Sequence, residues 1–350
     1  MSEKLYVDLA RNGLRMPIGA DLILKEKTDH EKRLLNGKLL GEVVAETAER
    51  FKTPLAFPLM DLSVEKEWML SALRIPQNEI EAFHFKSCPT EIEIESFQKK
   101  LISNVSERLT ANCEAIKYVK KMPGLVPVGM AIGPFSLMVK LIDDPITGVY
   151  LAGMGILPED DVEVNAIESA LEIATETILQ SIKLQVEAGA KAICVCEPAA
   201  NKVYISPIQL ENGSDIFDRY VMHYNMKIKK LLEEMDIDLI FHNCGELTDE
   251  MLLKLNELDP AILSLGSSRV LWEDAKLVSK STVLFGNLPS KEFYSDKDLP
   301  LSLVKEMADR LTRKMQEEDH PFILGTECDV LSVPEANKSI IEKVDAMLSF

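Results

Sequence analysis

From about residue 125 onward, short runs of β-branched and apolar residues alternate with longer stretches in which apolar positions recur every three or four residues. That is the pattern of stacked strand-helix units around a parallel sheet. VPVGMAI (126–132) precedes a helical FSLMVKLI, AKAICVCE (190–197) precedes DIFDRYVMHYNMKIKKLLEEM, and DLIFHNC (238–244) precedes LTDEMLLKLNEL. Three further units follow: AILSLG (261–266) with WEDAKLVSK, TVLFGN (282–287) with a helix over 301–318, and PFILGTEC (321–328) with PEANKSIIEKVDAML. Between the first two units, Ile167, Leu171, Ala174, Ile178, Ile182 and Val186 predict a long amphipathic helix over 160–188. The first third is less regular: a helix over 31–51, an apolar run PLAFPLMDL (54–62), a short run IEAFHF (80–85) and a helix over 92–111. Seven or eight strands result, with no Pro/Gly/Ser linker to divide them. The expectation is one α/β domain over 1–350, a single (β/α)8 TIM barrel with residues 1–50 as an irregular helical N-terminal extension. A doubly wound sheet is the alternative, but no GxGxxG follows a strand and no GxxxxGK[ST] occurs.

Composition narrows the function classes. The chain has 350 residues and 46% hydrophobic content, and at this length roughly 75% of the unfolded chain's surface can be buried. Disorder is excluded and disulfide staples are unnecessary. With 57 acidic and 39 basic side chains the net charge is −18, which repels phosphate backbones and anionic lipid, so neither nucleic acid nor membrane is an expected partner. MSEKLYVDLARNG has no targeting character, and the longest apolar stretch (125–142) is broken by two prolines, two glycines and a lysine. The six cysteines (Cys88, Cys113, Cys194, Cys196, Cys244, Cys328) read as intracellular thiols, and the expected location is cytoplasmic.

Among these thiols one group has the spacing of a metal site. His242 and Cys244 lie two apart at the end of DLIFHNC, and residues i and i+2 of a strand share a face. Cys328 ends PFILGTEC at the equivalent C-terminal position, where barrel active sites form. Each thiol has a glycine nearby that permits a tight turn and close backbone approach. Two sulfurs and one imidazole are donors that Zn²⁺ prefers, and three protein ligands leave a position open for substrate. Cys194 and Cys196 also share a strand face, but between Ile193 and Val195 they read as core; Cys88 and Cys113 have no second ligand at useful spacing. Glu197 before Pro198 is a candidate rim carboxylate, and ANKVYISPIQ, without helical period, is a candidate substrate-covering loop with Asn201, Tyr204 and Ser206 as polar contacts. His223 reads as an exposed helix histidine, His30 and His320 as solvated, and His84 as core. Asp21 and Asp61 are acids inside apolar runs, for which functional and turn-capping roles stand side by side.

The HxCG at a strand end, the GTxCDV of the last unit, GPFSLMVKLI and FGNLPS together resemble the uroporphyrinogen decarboxylase superfamily. His242, Cys244 and Cys328 match the zinc triad of its methylcobamide:coenzyme M methyltransferases. The resemblance implies catalytic zinc held by these three residues and a methylated corrinoid as co-substrate, brought by a corrinoid protein. It also implies a thiol acceptor such as coenzyme M, or another acceptor such as a folate. Decarboxylases of the superfamily carry an RQAGRY-type motif; here the stretch reads ARNGLRMPIGADL, which keeps Arg11 and Arg15 without the motif. They also need no metal, so both points favour methyl transfer. A decarboxylase-like tetrapyrrole enzyme and a noncatalytic corrinoid-binding protein with structural zinc are the competing readings.

Overall fold

The computed structural model describes residues 4–85 and 91–349. Its strands, in chain order, are β1 (Arg15–Ile18), β2 (Leu55–Ala56), β3 (Val126–Ile132), β4 (Ala192–Cys196), β5 (Asp238–Asn243), β6 (Ile262–Leu265), β7 (Val283–Leu288) and β8 (Phe322–Asp329). All neighbouring pairs are parallel, and the order across the sheet is β1-β8-β7-β6-β5-β4-β3-β2. This is the strand sequence of a (β/α)8 barrel. β1 and β2 flank its seam, where no ladder forms among the described residues. Thr53, just before β2, reaches across it and donates its hydroxyl to Met16 Sδ of β1 at 3.2 Å.

Alternate positions of the strands enter two separate packing clusters, as a period of two requires. Ala192, Cys194 and Cys196 meet Ile240, Ile262, Val283, Phe285, Ile323, Met16 and Val128 inside the barrel. Ile193, Val195, Leu239, Phe241, Leu263, Leu265 and Leu284 instead enter the layer packed under the helices. Burial on both faces explains why these strands read as continuous apolar runs. The helix Lys4–Arg11 closes the bottom of the barrel. Its Tyr6 is fully buried in the interior cluster and donates its hydroxyl to Asp238 Oδ2, 2.9 Å away at the start of β5.

The strongly periodic segments form where expected: β3 spans 126–132 and the long helix spans Val162–Ala188. That helix is capped by the Asp161 carboxylate on the amides of Glu163 and Val164, and it ends at Gly189, whose φ of 115° favours glycine. Four differences have local causes. The N-terminal extension also supplies β1, whose four residues are too few to show a period, paired with β8. The helix expected over 31–51 divides into His30–Leu34 and Gly37–Arg50, because Asn36 turns its side chain to the Leu39 amide and starts a new helix. Ser106 likewise starts Glu107–Val119 after Glu91–Ser103. Only Leu55 and Ala56 of PLAFPLMDL join the sheet, bracketed by Pro54 and Pro58, which lack a ladder donor, and 80–85 forms no strand. No helix among the described residues is long and apolar enough to cross a membrane.

Outside the barrel wall, Glu65 is almost completely buried and accepts a hydrogen bond from Ser181 Oγ at 2.8 Å. Burial pushes its carboxyl up to about 7, against the lowering effect of that bond. The folded state thus holds the proton more tightly than the unfolded state does. The stability this gives is complete below the ordinary carboxyl range and is lost as pH rises through about 7. We predict that Glu65→Gln gains about 3 kcal/mol relative to the parent between pH 4.5 and 8. Urea unfolding of both proteins at the two pH values checks this; a difference that does not change with pH would mean that Glu65 ionises normally.

Candidate metal centre

The register of β4, β5 and β6 sets the first donor. Cys196 lies opposite His242, and His242 opposite Ser264, all three buried. His242 follows the interior residue Ile240 by two, so its ring enters the barrel. Nδ1 lies 2.8 Å from Ser264 Oγ, whereas Nε2 is buried without a hydrogen-bond partner. An unpaired buried polar atom costs about 1–3 kcal/mol. With Nδ1–H donated to the serine, the Nε2 lone pair faces the cluster described next, which is how a metal-binding histidine is usually held.

Cys244 follows β5 directly and Cys328 is the penultimate residue of β8. Ligand atoms of His242, Cys244 and Cys328 all lie within 4.8 Å of one another. Simple alternation from the interior residue Ile323 would turn Cys328 to the other face. However, the pairing of β1 with β8 slips from Met16↔Gly325 to Ile18↔Asp329, and this irregularity spans the segment that brings Cys328 to the cluster. Directly after β6, Gly266 permits the close approach: a Cβ there would sit 2.6 Å from the Cys244 carbonyl oxygen.

The two thiols are close enough to act on each other. A hydrogen bond from Cys328 lowers Cys244 to about 7 against the opposing effect of burial, with Lys291 assisting. The same bond, together with burial, pushes Cys328 up to about 12. Met60 Sδ lies 3.7 Å from Cys328 Sγ. Glu327 is buried beside the pair and accepts from the amide and hydroxyl of Ser267 at 3.1 and 2.7 Å. Asp329 Oδ1 is buried without a hydrogen-bond partner, and burial plus the nearby Asp21 hold that carboxyl well above its ordinary range. Two sulfurs and an imidazole suit Zn²⁺, and among the described residues the set stops at three donors, which is the open form of such a site.

The other candidate residues are placed differently. Glu197 is fully buried; its carboxylate accepts from the Phe135 and Ser136 amides at 3.2 and 2.5 Å and from Asn225 Nδ2 at 3.1 Å. Asn201 folds back on its own loop, donating to Pro198 O and accepting from Val203 N, both at 2.7 Å. Tyr204 packs edge-on against Phe135, and Ser206 precedes the helix Pro207–Glu211. This loop still borders the cluster, since Asn243 Nδ2 donates to Ala200 O at 2.9 Å. Cys113 and Cys194 are buried, with Cys194 Sγ 3.8 Å from Cys196 Sγ; Cys88 lies outside the described residues. Asp21 accepts from the Ser332 amide at 2.8 Å, and Asp61 pairs with Arg108. His223 is exposed and His30 half-buried. Two histidines depart from expectation. His320 is buried against Thr282 O (3.0 Å) because the pairing of β8 with β7 sets it beside the start of β7, and His84 is half-buried near Asp143 because no strand carries it inward. Ser264, Met60, Glu327 and Lys291 were missed in the sequence. A hydroxyl inside the apolar run AILSLG was the available signal for Ser264, whereas nothing in PSKEF marks Lys291.

A parallel eight-stranded barrel with its donor cluster at the C-terminal ends of the strands belongs among the barrels that gather their chemistry at that mouth. More narrowly, the chain belongs to the uroporphyrinogen decarboxylase (URO-D) family, whose model matches residues 18–348. It is 27% identical over 137 residues to the methylcobamide:CoM methyltransferase MtbA of Methanosarcina mazei, covering 39% of this chain and 34% of that protein. The corresponding protein of Methanosarcina acetivorans is 28% identical over 133 residues, 38% of this chain and 33% of that one. The chain thus aligns with about a third of the length of these curated relatives. Its fold is shared with a solved methyltransferase from Methanosarcina mazei, at a TM-score of 0.66 and 17% identity over 99% of this chain and 98% of that one.

Proposed function

We propose that this protein is a zinc-dependent methyltransferase that moves a methyl group from a methylated corrinoid, presented by a corrinoid protein, to a small thiol. The observation that carries the reading is the open three-donor set, with an orphaned imidazole nitrogen beside a thiol pair at a barrel mouth. The names of the curated relatives supply the methylcobamide donor and coenzyme M as one acceptor. His242, Cys244 and Cys328 would hold Zn²⁺, which when bound supplies the Lewis acidity that lets a thiol lose its proton near neutral pH. Ser264 holds the His242 ring through Nδ1 and leaves Nε2 for the ion. The β4 loop, with Glu197, Asn201, Tyr204 and Ser206, walls one side of the mouth, and the Lys4–Arg11 helix confines entry to that mouth.

The decarboxylase reading needs arginines for a polycarboxylate at the mouth. Arg15 instead opens β1 at the opposite end of the barrel, with its guanidinium on the carbonyls of Met347 and Ser349, and Arg11 lines a cavity of about 240 Å³ at that same end. A structural zinc would call for a fourth protein ligand, and three is the number favoured by catalysis. The test follows corrin absorbance as methyl-Co(III) becomes Co(I), with free methylcobalamin or a methylated corrinoid protein and candidate acceptors added in turn. Demethylation that rises with zinc loading is the expected result. Equal rates from chelator-treated and zinc-loaded protein would overturn it, and brisk turnover of uroporphyrinogen would install the alternative.

A further inference from the structure

A second cavity, of about 480 Å³, is lined by helices and the loops between them and shares no residue with the metal cluster. Lys66 lines it from the first turn of the helix Val64–Ala72, and Lys140 from just after the helix Pro134–Val139. Lys66 is only 7% exposed, and its ammonium has one partner among the described residues, the Glu81 carbonyl at 3.0 Å. An ammonium carries three donors, so two are unspent. Lys140 is exposed, and neither lysine makes an ion pair among the described residues. The third cation of the lining, Arg108, is already paired with Asp61 and Glu67.

The placement of Lys66 runs against several preferences at once. A buried cation without a carboxylate is costly, and a lysine in the first turn of a helix opposes the helix dipole. Burial and the charge of Lys140 both push its ammonium below the ordinary range, and only Glu81 pulls the other way. That acid is exposed and pairs with neither lysine. We infer that the cavity binds a small phosphorylated molecule, with its phosphate set between Lys66 and Lys140. A bound phosphate supplies the counter-charge that both lysines lack. Lysine presents a point charge with rotatable donors, which suits a tetrahedral phosphate; the planar carboxylate is matched better by an arginine fork, and the arginine here is taken. Gln77 and His84 line the same cavity and carry further donors. Its volume falls within the range of roughly 300–1,000 Å³ usual for small-molecule sites, so an organic part has room against Ile80.

Calorimetric titration of the whole chain with inorganic phosphate, glycerol 3-phosphate, succinate and glycerol, at an ionic strength held constant with chloride, tests this. The parent should bind both phosphates and leave glycerol unbound. Lys140→Glu changes an exposed side chain and should weaken both phosphates about tenfold or more. Lys338→Glu makes the same change of charge at an exposed position outside the cavity and should alter them by no more than about twofold. Lys66→Met should abolish binding. Thermal unfolding separates that loss from misfolding: both phosphates should raise the midpoint of the parent, whereas Lys66→Met should unfold cooperatively at a midpoint they no longer move. Absence of phosphate binding in the parent, or equal weakening by Lys140→Glu and Lys338→Glu, would overturn the inference. Succinate bound tighter than either phosphate would overturn it in favour of a carboxylate ligand.

Discussion

Cys244→Ser and Cys328→Ser should each bind zinc weaker by a factor on the order of 10³ or more, and methyl transfer should fall with the metal. Each substitution exchanges a soft thiolate donor for a hydroxyl that stays protonated, and the set has only three donors to lose from. Ser264→Ala provides an internal scale. It leaves all three donors and removes only the partner of His242 Nδ1, so its loss should be about 10–100-fold. Metal analysis after dialysis against graded chelator, with circular dichroism to confirm folding, gives the ranking. Full zinc retention in both cysteine variants would end the assignment, and a serine-264 variant worse than either would place the metal elsewhere.

The second large effect belongs to Glu197, and it is on stability. This carboxylate binds three donors at once, two of them the first amides of the helix Pro134–Val139, and is packed so tightly that a Cβ on Gly133 would lie 2.2 Å from it. Truncation to alanine leaves those donors buried and unpaired and opens a hole between the end of β3 and the end of β4. We expect Glu197→Ala to cost at least about 3 kcal/mol while zinc content at low temperature is preserved. Thermal unfolding measures the first and metal analysis the second. Unchanged stability with weakened thiol or corrinoid binding would return Glu197 to the rim as a substrate contact, the role its place beside Pro198 implies in the sequence.

What could be read from the sequence follows the strength of the local signal. The βα units from residue 126 onward show their period because their strands bury both faces and their helices bury one. β1 and β2 are short, the first containing Pro17 and the second set between Pro54 and Pro58, so their membership in the barrel is decided by β8 and β3 rather than by their own four and two residues. The same division holds in the site. His242 and Cys244 sit two apart at the end of one strand and announce themselves, whereas Cys328 joins them through a slip in strand register that no spacing encodes. Ser264 and Lys291 arrive from neighbouring strands and depend on register and on a turn, which are properties of the assembled barrel.

The helix that stoppers the barrel beneath β5 leaves the interior sulfurs to be reached from the mouth at the C-terminal ends of the strands. A water-borne thiol reagent that descends from the mouth meets the half-buried Cys244 and Cys328 first, then the buried Cys196, and last Cys194, which lies a layer below it on β4. Labelling rates of the four sulfurs would therefore act as a depth gauge, and the lag between the upper and lower pairs would report how often the interior admits a molecule the size of the reagent.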